Sequence, residues 1–211
     1  MNTSLKVITA PSVEPVTAAE VKLQVHIDHS TEDALINTWI TAGREQCEDY
    51  HRRAYITQVL ELSFDDWPPV PFNLPMAPLQ QVMTIKYTDV DGATYTLYNS
   101  GEDPTATSTT SSPDSGNSNF IIDTDSDPGR VMLADSVNWP TAILQSINSF
   151  KVRYAAGYGD AATSVPAVAK NAILLYCGYC NENRAGEVPE MPAHILNLLR
   201  PTRGSKLIWE G

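Results

Sequence analysis

Residues 32–64 read EDALINTWITAGREQCEDYHRRAYITQVLELSF, and the hydrophobic period changes inside this stretch. From Ser30 to about Ala54 the apolar residues recur at helical spacing: Leu35, Trp39 and Ala42 share one face, with Ile36, Ile40, Cys47 and Tyr50 alongside. Glu32 and Asp33 fall in the first turn and Arg44, Arg52 and Arg53 come late, as the helix dipole favours. From Thr57 to Phe64 the period is two, with Leu60, Leu62 and Phe64 on one face, which predicts a strand. A helical segment therefore gives way to a β segment near residue 57.

On the N-terminal side, Thr17-Ala18-Ala19-Glu20 has the form of a capping box, flanked by Val16 and Val21 in the positions of a hydrophobic staple. It predicts a short helix to about His26. On the C-terminal side, Trp67-Pro68-Pro69-Val70-Pro71 excludes helix and inner strand. Leu79 to Tyr87 and Thr94 to Tyr98 flank Asp91-Gly92 as a hairpin. Residues 100–119, SGEDPTATSTTSSPDSGNSN, hold no Leu, Ile, Val or aromatic residue, so burial cannot offset their ordering entropy and a flexible loop over about 99–119 is expected. Phe120–Ile122 and Arg130–Leu133 surround the turn Asp127-Pro128-Gly129, and Phe150–Ala156 is the last strand.

Helix returns after Gly157-Tyr158-Gly159-Asp160, with Pro166 in the first turn. Val168, Ala172, Leu175 and Tyr179 line one stripe, widened by Ala169, Ile173 and Tyr176. A final short helix from about Pro192 turns Ile195, Leu198 and Leu199 inward and stops at Pro201. The fold class is thus α+β: a small helical bundle of two N-terminal and two C-terminal helices, with a mainly antiparallel β insertion between them. Residues 1–56 and 157–211 form the helical body, 57–156 the insertion, and 201–211 an extended C-terminal tail.

Composition narrows the function. The chain has 211 residues and a formal net charge of −11, the opposite of the basic balance a phosphate-gripping protein needs. No run of 18 apolar residues occurs, so no transmembrane helix is expected, and the N-terminus lacks the pattern of a signal peptide. Three cysteines, Cys47, Cys177 and Cys180, argue against a disulfide scaffold.

The candidate chemical sites each have a plainer explanation. Cys177-Gly178-Tyr179-Cys180 has redox-dithiol spacing, but some ten helical residues precede it, whereas a reactive thiol sits at a helix N-terminus. Asp123, Asp125 and Asp127 open like a calcium loop, yet the sixth position is Pro128 and the twelfth Ala134, not Gly and Glu. His26 and His29 flank Ile27-Asp28 in a turn, while His51 and His194 have no evident partner. The Gly157–Asp160 turn lacks the remaining glycine and the lysine of a phosphate loop. No catalytic residue and no cofactor is expected. Arg203, Lys206, Leu207, Ile208 and Trp209 make the tail amphipathic, with Trp209 a candidate anchor on a partner.

Six pieces in order, VITAPSVEPVTAAEVKLQVHID, EDALINTWITAGREQCEDYHRRAYITQ, LPMAPLQQVMTIKYTDVDG, IIDTDSDPGRV, VRYAAGYGDAATSVPAVAKNAILLYCGYCNENR and ILNLLRP, resemble the head–tail connector (adaptor) proteins of long-tailed, siphovirus-like phages. The stretch 99–119 departs from that pattern as a local insertion, and the chain after Pro201 has no counterpart. The resemblance implies a structural virion protein, made in the host cytoplasm. It implies a homo-oligomeric ring, usually dodecameric, in the neck beneath the portal protein. Such a ring extends the DNA channel without sequence-specific binding and meets the next neck or tail-terminator protein. Alternatives are another neck or tail-completion protein, a small metal- or ligand-binding module using the three aspartates, and a thiol oxidoreductase.

Overall fold

The structure is a computed structural model and describes residues 2–101, 110–111, 117–184 and 191–203. The described chain divides into two compact units: residues 11–57 with 157–203, and residues 2–10 with 58–156. The first is helical and the second is built of sheets, so the α+β class expected from the sequence holds.

The helical unit contains α1 (Ala18–Val25), α2 (Asp33–His51), α3 (Ala167–Glu182) and α4 (Ala193–Leu199). At the start of α1 the capping box closes in both directions: the Glu20 backbone N–H donates to Thr17 Oγ1 at 3.2 Å and the Thr17 N–H to Glu20 Oε2 at 2.7 Å. Val16 and Val21 are both buried, as the staple requires.

The core joins Ile36, Ile40 and Cys47 of α2 to Ala169, Ala172, Ile173, Tyr176 and Cys177 of α3, with Ile195 and Leu199 of α4. Each fully buried Ile contributes roughly 1.5–3 kcal/mol. The inward stripes are rotated by about one residue from the expected ones, since Leu35 and Val168 are half-exposed. Close approach of α2 and α3 decides this rotation: a Cβ on Gly43 would lie 2.8 Å from Cδ1 of Tyr176. Leu198 likewise sits at the surface while its neighbour Leu199 is buried.

Helix α2 ends at His51 rather than near Ala54. Arg52 adopts a left-handed conformation (φ 60°) and its N–H closes the helix on the Glu48 carbonyl at 2.8 Å. Ala54, Tyr55 and Ile56 then enter the core as extended chain.

The second unit contains a six-stranded sheet in the order β1-β2-β9-β4-β5-β6 and a three-stranded sheet in the order β3-β8-β7. The strands are β1 (Thr3–Thr9), β2 (Gln58–Phe64), β3 (Phe72–Asn73), β4 (Leu79–Thr88), β5 (Thr94–Asn99), β6 (Thr110–Ser111), β7 (Phe120–Asp123), β8 (Arg130–Leu133) and β9 (Phe150–Ala156). All pairings are antiparallel except β5 with β6. The β4–β5 and β7–β8 hairpins match the sequence reading. Strand β1 does not: residues 3–9, assigned to the helical body from sequence, pair with β2 from Thr3↔Phe64 to Thr9↔Val59. The helical unit therefore begins at Pro11. The loop expected over about 99–119 lies largely outside the described residues.

Register separates the two faces of the large sheet. Leu62, Val152 and Ile85 form one cross-strand row, and Phe64, Phe150 and Tyr87 another; all six are buried. Phe72 meets Phe64 and Phe150 edge-on, and Trp139 stacks on Trp67 while donating its indole N–H to the Pro68 carbonyl at 3.0 Å. The proline-rich segment thus frames an aromatic core. The alternate positions Glu61, Lys151, Arg153 and Lys86 point to the opposite, polar face.

Candidate partner-binding surfaces

The residues singled out for chemistry are engaged in structural roles. Asp123 accepts hydrogen bonds from the Asp125 and Ser126 backbone N–H groups at 3.1 Å, from Ser126 Oγ at 2.6 Å and from Arg130 Nε at 2.8 Å. The Ser126 hydroxyl and then Arg130 hold its carboxyl at about 2. This is an aspartate-capped turn between β7 and β8. Among the described residues no group of three or more His, Cys, Asp or Glu is placed to hold a metal ion, Asp123, Asp125 and Asp127 included.

Cys177 is buried late in α3, and burial pushes its thiol up to about 12; Cys180 is shifted up by the same cause. Neither has the depressed value of a reactive thiol. His26 closes α1 in a left-handed conformation, and His29 offers its carbonyl to Lys22 Nζ at 3.0 Å. In the Gly157–Asp160 turn, Tyr158 N–H donates to the Tyr55 carbonyl and Thr57 N–H to the Gly159 carbonyl, both at 3.1 Å. Its backbone braces the chain leaving α2.

A buried polar network, not foreseen from the sequence, runs along α2. Arg44 donates through Nη1 to Glu48 Oε2 and through Nε to Glu14 Oε2, each at 2.8 Å, and Thr41 Oγ1 donates to Glu14 Oε1 at 2.9 Å. Burial alone would lower the Arg44 guanidinium, but Glu48 and Glu14 outweigh it and the net shift is upward. Glu48 Oε1 also accepts the Tyr55 N–H at 2.7 Å.

One turn on, His51 is 2% exposed, with Nδ1 3.0 Å from Tyr55 Oη and Nε2 2.9 Å from the Thr202 carbonyl. Burial drives the Tyr55 phenol far up, so it stays protonated, and the Thr202 hydroxyl lies 2.9 Å from Nε2 beside the carbonyl; the imidazole tautomer sets which partner donates at each ring nitrogen. Arg53 Nε reaches the same carbonyl at 2.7 Å, and the Arg203 guanidinium lies 4.4 Å from the Tyr50 ring centroid. The root of the C-terminal tail is thereby fastened to the end of α2. Of the expected docking residues Arg203 lies among the described residues, over Tyr50, while Lys206, Leu207, Ile208 and Trp209 lie outside them.

Three further surfaces could meet partners. Val90 in the β4–β5 turn bonds through its N–H to the Ile143 carbonyl at 3.0 Å, and Val90, Ile143 and Ile147 are each more than 60% exposed. Strand β1 is an edge of the large sheet and carries half-exposed Leu5 and Val7. The polar face of the large sheet carries Lys6, Lys86, Lys151 and Arg153 around Glu61. No described helix is long and apolar enough to cross a membrane.

No protein-family model and no curated protein sequence matches the chain. Solved structures do match. A chain from the virion of a native gene transfer agent (GTA) particle has a TM-score of 0.72 at 18% identity, over 96% of each chain. A chain from the neck of an empty GTA particle, computed with C6 symmetry, gives 0.73 at 17% identity over 97% of each. A chain from the neck of a native GTA particle, computed with C12 symmetry, gives 0.65 at 18% identity over 97% of each. The shared property is the fold, over 96–97% of the chain.

Proposed function

We propose that this chain is a structural virion protein of the neck of a phage or phage-like particle: a head–tail connector subunit that forms a ring beneath the portal and joins capsid to tail. The observation that carries this reading is the fold likeness over 96–97% of the chain to components of GTA particles, two of them described as neck. The ordered sequence resemblance to siphovirus adaptors points the same way and supplies the finer role.

The molecule is suited to that work. A ring of identical subunits is closed by heterologous contacts, one patch meeting a different patch on the next copy. The described surfaces differ in character, one apolar, one a strand edge and one basic, so one chain can meet unlike neighbours. A dodecamer agrees with the C12 symmetry of one neighbour's neck. The surplus of carboxylates lets DNA pass through the ring's lumen without being held, by like-charge repulsion. The tail, whose root at Thr202 is held to α2 by His51 and Arg53, docks on the portal. The chain acts through surfaces and carries no catalytic role.

Deleting the gene from its phage and imaging the lysate tests this reading. Separate heads and complete free tails, rescued by supplying the protein, are the expected result. Normal infectious particles would contradict it. Tails of abnormal length or tails lacking an end structure would instead favour a tail-completion protein.

A further inference from the structure

The polar face of the large sheet departs from the rest of the molecule in sign. Register places Lys6, Glu61, Arg153 and Thr84 in one cross-strand row, and Lys151 directly opposite Lys86 in the next. Four cations therefore surround one carboxylate, on a chain whose overall balance is −11. Glu61 is already committed: its Oε2 is 2.7 Å from Arg153 Nη2 and its Oε1 is 4.0 Å from Lys151 Nζ. Among the described residues no carboxylate lies within ion-pair distance of Lys86. Like charges directly opposite across an antiparallel pair are unfavourable. The Lys86–Lys151 pair is thus left half-compensated at the wall of a shallow polar concavity with Thr84 and Thr88.

We infer that this basic sheet face is an intersubunit docking surface that receives acidic side chains of a second copy of this chain. The inference rests on the proposed ring and names one of its two unlike contact patches. Charge complementarity argues for the occupant. With the cations gathered on this face, the remaining surface is more acidic than the chain as a whole. Exposed carboxylates such as Glu45 and Asp49, one turn apart on α2, 65% and 83% exposed and held only by long ion pairs to Arg44 at 3.4 Å and Arg52 at 3.8 Å, supply the opposite sign. A nucleic-acid phosphate fits less well: it would abut Glu61 within the patch and would approach against the field of the whole chain.

The test is zero-length carbodiimide coupling, which joins an amine to a carboxylate only when they touch. Full-length protein labelled with nitrogen-15 is mixed with unlabelled protein at high concentration, coupled and mapped by mass spectrometry. Mixed-isotope links from Lys86 or Lys151 to Asp or Glu are expected. They should fall severalfold at about 0.5 M salt, where the screening length is only a few ångströms. They should also vanish in Lys86→Gln/Lys151→Gln without loss of the circular dichroism spectrum. Links that avoid both lysines, or no mixed-isotope links at all, would overturn the inference. So would salt-sensitive retention of duplex DNA by the native chain that this double variant abolishes. Separated heads and tails on gene deletion combined with any of these results would sink the docking face alone and leave the neck reading standing.

Discussion

Arg44 and Glu48 lie one turn apart on α2 and form an ion pair at 2.8 Å with side chains 8% and 6% exposed. Burying such a pair is favourable only because each ion has further partners, Glu14 for Arg44 and the Tyr55 N–H for Glu48. Arg44→Ala leaves Glu48 buried without its counter-ion, and a loss of about 3 kcal/mol is expected in urea unfolding. A loss below about 1 kcal/mol would show that the site rehydrates freely.

Gly157 has φ +140°, and a Cβ there would lie 2.7 Å from the Ile56 carbonyl carbon and oxygen. The strain falls on backbone, which cannot swing aside. Gly157→Ala should cost about 1–3 kcal/mol and lower the thermal midpoint, whereas Ala at the open, exposed Gly92 should cost less despite its positive φ.

Asp123 gives the pH prediction. Its carboxyl is held at about 2, below its unfolded value, so its contribution to the β7–β8 turn is complete above the ordinary carboxylate range. That contribution is lost as pH falls through about 2. Carbon-13 NMR of the side chain should report a midpoint there, moved upward in Ser126→Ala and Arg130→Ala. An ordinary midpoint in the native chain would mean the turn does not hold the aspartate as described.

The helices and hairpins were legible because their signals are local: a capping box at Thr17 and Glu20, a turn at Asp91-Gly92, a change of period near Thr57. The inward faces of α2 and α3 were not, because helix rotation is settled by Gly43 meeting Tyr176, 133 positions away by sequence number. Strand β1 carries no local signal, since Leu5 and Val7 are half-exposed and its partners begin near residue 59. His51 has no partner legible in sequence because Thr202 lies 151 residues on. The basic face was hidden for the same reason, as Lys86 and Lys151 are opposed only by strand order.

The thiols separate a structural role from a redox one. Burial pushes Cys47 and Cys177 up to about 12, so both should react slowly with an aromatic disulfide in the native protein and rapidly in denaturant. Replacing Cys177 and Cys180 by Ser should leave particle yield unchanged if no dithiol chemistry is involved. Rapid native reaction at Cys177 together with lost yield would revive the oxidoreductase alternative.

Cryo-electron microscopy of the purified particle would show whether this fold forms a ring in the neck. The expected result is a ring of this α+β fold between portal and tail, with neighbouring copies related by twelvefold symmetry and unlike patches in contact. A neck reconstructed to side-chain detail with no copy of this chain, or particles in which mass spectrometry finds none of it, would rule out the neck role.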